Sequence, residues 1–224
     1  MSGISSVVSK NIVCFVHLPK TGGSSVRRFL HEFGQDYYFS CHTLYDDCFL
    51  SYDQANNMFD GWPKTYKYYA DHKISIPLVH YMGCKGFSIV RDPVDRFISL
   101  YNFINSNTQN TFFPDNILKA VEWSFVQKNL SSKLLSQVRH LTHGKGLEYI
   151  EKYLGNFVLI PFENLQDIPN LFGSNIKIVH ENQPSNKIVT KIDDNLRKYI
   201  SRYVEDDLIL HKICCKKYQK KQIF

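Results

Sequence analysis

No apolar run in this 224-residue chain approaches the roughly 20 residues that a helix needs to span a bilayer, so a helical membrane span is not expected. The opening residues, MSGISSVVSKNIVCFVHL, hold no basic leader, no long apolar stretch and no small-residue cleavage site. A secretory signal is therefore not expected, and the chain as written reads as a soluble, cytoplasmic protein. Six cysteines (Cys14, Cys41, Cys48, Cys84, Cys214 and Cys215) include no C-x-x-C pair and no cluster of metal-ligand spacing. Reduced thiols are expected, with neither a disulfide framework nor structural zinc. Acidic residues are missing after Asp207, where Lys212, Lys216, Lys217, Lys220 and Lys221 supply +5 of the net charge of +6. The rest of the chain is close to neutral, which excludes a broadly basic nucleic-acid surface. The tail KICCKKYQKKQIF could hold an anionic substrate or surface, or it is a solvated and partly frayed terminus. Repeats and low-complexity linkers are also missing, and the composition is that of one ordinary globular domain.

What is present is a strand–helix alternation. Asn11 to Leu18 is a nearly continuous apolar run, as expected of a strand buried on both faces. It breaks at Pro19, passes Gly22 and Gly23, and enters SSVRRFLHEF, where Val26, Phe29, Leu30 and Phe33 form one apolar helical stripe. Ser24 or Ser25 is expected to cap that helix. A second unit places a strand over Phe87 to Val90, a helix start at Asp92-Pro93, and a stripe of Val94, Phe97, Ile98 and Tyr101. Two more strands are expected at Phe157 to Phe162 and Ile176 to Val179. Helices are expected around 115–129, 131–142 and 146–154, and a last one from about Asp193 to His211 with Leu196, Ile200, Tyr203 and Leu208 inward. YYFSC reads as the second strand. Residues 43–80 show no clean period; a helix near 51–59 and an irregular segment after it are expected. The fold class is α/β: one domain, a mainly parallel central sheet flanked by helices, with a P-loop-like nucleotide-binding architecture.

HLPKTGGSS joins the first strand to the first helix. Backbone N–H groups from Thr21 to Ser25 can face an anion there, and the helix N-terminus adds partial positive charge. Gly22 and Gly23 allow close backbone approach, Lys20 adds a point charge, and Thr21, Ser24 and Ser25 add hydroxyls. The loop is not a Walker A motif, because its lysine precedes the glycines and no Walker-B-like acidic strand end accompanies it. A magnesium nucleotide, and with it a nucleotide kinase, is disfavoured.

The loop P-K-T-G-G-S-S resembles the 5′-phosphosulfate loop of sulfotransferases that use 3′-phosphoadenosine 5′-phosphosulfate (PAPS). Arg91-Asp92-Pro93-Val94-Asp95-Arg96-Phe97-Ile98-Ser99 resembles that family's R-D-P-x-x-R-x-x-S motif. The resemblance implies that Arg91 and Ser99 hold the 3′-phosphate, as an arginine at a strand end and a serine two helical turns on could. Gln137-Val138-Arg139-His140-Leu141 with Gly144, FVLIPFENLQD, and HENQPSNK…DDNLRKYISRYVEDDLIL are similar to later segments of the carbohydrate branch, near the heparan and chondroitin O-sulfotransferases. Ile160-Pro161 departs from that branch, and 43–80 does not align. The expected layout is an N-terminal extension over 1–10, a sulfotransferase domain over 11–210 and the basic tail over 211–224. For a trimmed form of an animal-type enzyme the location would instead be the Golgi lumen or its membrane.

Transfer of a sulfuryl group in line asks for positioning and charge stabilisation. Lys20 is placed for the leaving 5′-phosphate. The acceptor hydroxyl needs a base, for which histidine suits neutral pH. His42, leaving the second strand on the crevice side, is the first candidate and His72 the second. His80 is a third, and His17 reads as structural. Lys187 or Lys191 could add a phosphate contact, and Arg139 could meet an anionic sugar. The function expected is PAPS-dependent O-sulfation, with PAPS as donor, no metal, and a carbohydrate or other hydroxyl acceptor. The alternatives are a P-loop-like nucleotide kinase and a non-catalytic module that binds sulfated glycans or phosphate.

Overall fold

A computed structural model describes residues 12–34, 37–39, 67–106, 112–179, 189 and 192–218. Five strands, β1 (Val13–Val16), β2 (Tyr37–Phe39), β3 (Tyr68–Asp71), β4 (Lys85–Val90) and β5 (Phe157–Pro161), form one sheet in the order β2-β3-β1-β4-β5. Every neighbouring pair is parallel. The second strand begins within YYFSC as expected, whereas His42 and the helix sought near 51–59 lie outside the described residues.

Alternation along the strands sends side chains to two separate cores. Cys14 and Val16 pack with α2 (Ile76–Tyr81), α6 (Gln137–Thr142), α7 (Leu147–Tyr153) and α10 (Glu205–Lys217). Val13 and Phe15 pack on the other face with α1 (Gly23–Phe33) and α8 (Ile168–Leu171). There Phe15 and Phe87, both fully buried, stack with centroids 4.9 Å apart, each side chain contributing about 1.5–3 kcal/mol by burial. A third core joins α3 (Pro93–Asn105), α4 (Ile117–Val121) and α9 (Asp194–Ser201) through Val94, Phe97, Val121 and Ile200. The α/β architecture with helices on both faces is the expected one. None of the helices among the described residues is long and apolar enough to cross a membrane.

Several local expectations need correction. Ile176 to Val179 adds no strand. Ile178 is buried, and its carbonyl accepts from Gln166 Nε2 at 3.2 Å, so the segment is held by a side chain instead of a ladder, and among the described residues β5 is the sheet's edge. The pattern over 115–129 divides into α4 and a five-residue π turn, Glu122–Val126. The pattern over 131–142 divides into α5 (Ser132–Leu135) and α6, because Ser136 is extended and turns its hydroxyl to Arg139 N–H as a cap. The last helix is broken at 202–204, so Tyr203 is exposed at 38% instead of inward. The break re-aims the chain so that Asp207, in the acidic first turn of α10, points into the domain. Beyond His211 the helix continues to Lys217 with Cys214 buried. Among the described cysteines, Cys14, Cys84, Cys214 and Cys215 are free thiols, as expected.

Candidate active site

The chain leaves β1 toward β2 on one flank of the sheet and leaves β4 toward β5 on the other. Adjacent parallel strands whose connections diverge open a crevice at their C-terminal ends. The loop at 18–24 and the turn at Arg91-Asp92 both lie at that edge.

The loop is shaped by its own backbone. Thr21, fully buried, donates its hydroxyl to the Leu18 carbonyl at 2.9 Å, so its proton closes the turn. Lys20 (φ +63°) and Gly22 (φ +86°) are both left-handed, and Gly22, not Ser24 or Ser25, is the N-cap of α1. The Gly22 carbonyl accepts from Ser25 N–H at 3.1 Å and Val26 N–H at 3.3 Å. Helix geometry leaves the first-turn amides of Gly23 and Ser24 directed out of the N-terminus. A side chain on Gly22 would stand 3.1 Å from the Phe162 ring, and one on Gly23 would stand 1.8 Å from His17 Nε2. The loop is therefore clasped between Phe162 and His17.

Two arginines of the second motif bind this loop. Arg91 donates from Nη1 to the Lys20 carbonyl at 3.3 Å, and its guanidinium lies 4.4 Å from the Phe162 ring centroid. Burial pulls its pKa below the usual arginine value, opposed by Asp95, Glu163 and Asp92. Arg96, 3% exposed, donates to the carbonyls of Pro19 (2.9 Å), Leu135 (3.1 Å) and Leu134 (2.7 Å). Burial lowers its pKa to about 10. The turn itself is held by Asp92, which caps α3 through the N–H groups of Val94 and Asp95 and takes Arg197 Nη1 at 3.1 Å.

Ser99 follows Arg96 by three residues on α3, and Phe103 follows Ser99 by four, so all three share one helix face. Arg96 reaches Pro19, and Lys20 Nζ sits 4.0 Å from the Phe103 centroid. The face carrying Ser99 is thus turned to the loop. Burial first, and the Arg91 charge second, lower the Lys20 ammonium to about 8.

A third layer holds Arg91 in register. The Gln137 carboxamide accepts from Arg91 N–H at 3.0 Å and donates to the Arg91 carbonyl at 2.8 Å, extending β4 by one pseudo-partner. Gln137 N–H and Val138 N–H donate in turn to Asp207 at 2.7 and 2.9 Å, and Ser136 Oγ does so at 3.0 Å. Asp207 is 1% exposed. Burial raises its carboxyl pKa, opposed by Arg96 and these three donors.

Three histidines meet beside the loop. His72 follows β3, and its Nδ1 lies 2.6 Å from the His17 carbonyl. A carbonyl only accepts, so Nδ1 carries the proton and the neutral ring has its lone pair on Nε2. The rings of His17 and His72 stack at 4.0 Å, and His140 Nε2 donates to the His72 carbonyl at 2.7 Å. Burial, followed by the nearby charges of His72, Arg27 and His140, keeps His17 well below the ordinary histidine value and so neutral. Its Nδ1 is buried with no hydrogen-bond partner among the described residues.

The crevice thus gathers Lys20, Thr21, Gly22, Gly23, Ser24, Ser25, Arg91, Ser99 and His72. Arg139 is exposed and sits about 200° around α6 from Gln137, away from Arg91. His80 is exposed and packs on Tyr153 at 4.3 Å, where α2 and α7 lead into the opposite edge of the sheet. Lys187 and Lys191 lie outside the described residues, as does His42. The roles of Arg96, Gln137, Asp207 and Phe162 were not assigned from sequence, although Arg96 stands inside the R-D-P motif, and His17 is buried in keeping with its reading as structural.

A family model described as "Sulfotransferase family" matches residues 6–154, well over half of the chain. No curated protein sequence matches the chain. Among solved structures, a sulfotransferase from Alicyclobacillus acidocaldarius has the same fold, with a TM-score of 0.56 and 13% identity over 95% of this chain and 98% of that one.

Proposed function

Because the chain belongs to the sulfotransferase family, an enzyme family whose sulfuryl donor is PAPS, we propose that it transfers that group to a carbohydrate hydroxyl with a histidine as base. The observation that carries the proposal is the contact of Arg91 with the Lys20 carbonyl. It brings together two motifs that lie 71 residues apart in the chain.

The residues fit the donor. The outward amides of Gly23 and Ser24, the backbone of Thr21 and Gly22, and the hydroxyls of Ser24 and Ser25 form the cradle for the 5′-phosphosulfate. Lys20 stabilises the charge that grows on the leaving phosphate as the S–O bond breaks. Arg91 and Ser99 take the 3′-phosphate, and Lys187 adds a contact at that end. His72, oriented through Nδ1 by the His17 carbonyl, presents Nε2 as the base that removes the acceptor proton. His42 is the other candidate for that step. Arg139 is a contact for the outlying part of an anionic acceptor. Carbohydrate is favoured as acceptor by the resemblance of the Gln137–Leu141 segment to the carbohydrate branch.

Replacing Arg91 by alanine removes a charge-assisted contact and should weaken 3′,5′-adenosine bisphosphate binding by about 1.5–3 kcal/mol, measured by calorimetry. Unchanged affinity would remove Arg91 from the donor site. Stabilisation of the wild-type chain by ATP with magnesium, but not by the bisphosphate, would favour the kinase reading.

A further inference from the structure

We propose that Glu163, His211 and Cys215 form a binding site for a zinc-class divalent cation, on the surface behind Arg91. His211 and Cys215 stand one turn apart on α10, on the same side of the helix. Glu163 comes to them from the 3₁₀ turn Phe162–Asp167 that follows β5. One ligand atom from each lies within 4.8 Å of the other two.

The separations fit the metal. Around a tetrahedral zinc with Zn–S about 2.3 Å and Zn–N and Zn–O about 2.0–2.1 Å, neighbouring ligand atoms stand about 3.3–3.6 Å apart. His211 Nε2 is 3.6 Å from Cys215 Sγ and 3.5 Å from Glu163 Oε2. These spacings are longer than a strong charge-assisted hydrogen bond and close to two edges of the coordination tetrahedron. A mixed S, N, O set favours zinc over magnesium or calcium, which take oxygen ligands. Three protein ligands leave the fourth position to water or a small anion. Cys215 binds as thiolate, so uptake of the cation releases the thiol proton to solvent. Cys214, the adjacent thiol, is buried in the sheet-facing core and takes no part.

Sequence spacing alone hides the site, because H-x-x-x-C falls in the basic tail and its third ligand belongs to another element. A bound cation would staple α10 to the turn carrying Phe162, the ring under Arg91.

Cobalt(II), a spectroscopic stand-in for zinc, would be titrated into the full-length chain. One equivalent should give a thiolate-to-cobalt charge-transfer band and visible bands of tetrahedral intensity. Both should vanish in Cys215→Ser and persist in Cys214→Ser. His211→Ala should weaken zinc binding by at least about 10–100-fold, the loss that outer-shell partners alone can cause. Circular dichroism would confirm that the surface variants are folded. A wild-type chain that takes up no cobalt, or a charge-transfer band that survives Cys215→Ser, would overturn the site.

Discussion

The carbonyl of His17 takes the Nδ1 proton of His72 across 2.6 Å, so the β1 backbone sets the tautomer of the ring at the end of the neighbouring strand. The parallel register makes this possible, since Val16 is opposite Asp71 and the next residue on each strand is a histidine. The side chain that would accept the substrate proton is thus oriented by main chain, which cannot itself titrate in its place.

His72→Ala should lower kcat by about 10²–10⁴ with donor affinity nearly unchanged. Single-turnover sulfate transfer to a glycan acceptor, alongside binding of adenosine bisphosphate, separates the two quantities. An active His72→Ala and a dead His42→Ala would move the base to His42.

Lys20, lowered to about 8 by burial and by Arg91, is charged below that pH and neutral above it. In its proposed role at the leaving phosphate, its attraction for the donor would be present at low pH and lost as pH rises. The donor kcat/KM should fall toward about tenfold per unit on the alkaline side, with that limb starting near the free-enzyme value. Bound phosphates favour the ammonium, so kcat should hold to higher pH. In Lys20→Arg the alkaline limb should disappear, because guanidinium stays charged. A limb that persists there belongs to another group.

Gly23→Ala places a methyl 1.8 Å from His17 Nε2, and the imidazole is walled in by Phe15 and His72. Overpacking of this kind costs about 1–3 kcal/mol, to be read from urea denaturation. Turnover should drop as well, because displacing His17 moves the carbonyl that orients His72. Wild-type stability and rate together would show that the imidazole can swing aside.

The two strand–turn–helix units were legible in the sequence because each is a local device: an apolar strand, a turn, and a helix. Asp92 as a cap and Pro93 in the first turn are of the same local kind. Arg96 was legible as a residue of the motif but not as a buried clamp, since its partners lie 38 to 77 residues away. The strand expected at 176–179 failed for the converse reason. Ile176 and Ile178 alternate correctly, but pairing needs a free sheet edge in reach, and the Gln166 side chain holds the segment instead. Tyr203 fitted the helical period only as long as the helix was unbroken, and the break falls at 202–204, on Tyr203 itself.

The sheet whose strands all run one way has a working edge and an idle one. The phosphate loop, Arg91 and His72 all follow strand C-termini, while Gly34, Gly83 and Gly155 sit in the turns that feed the strands from the other end. At Gly155 an added side chain would meet nothing within 4 Å. With the other reactive thiols, the exposed Cys215 among them, replaced by serine, a cysteine introduced there would be a handle for fixing the protein to a solid support with its crevice facing the liquid.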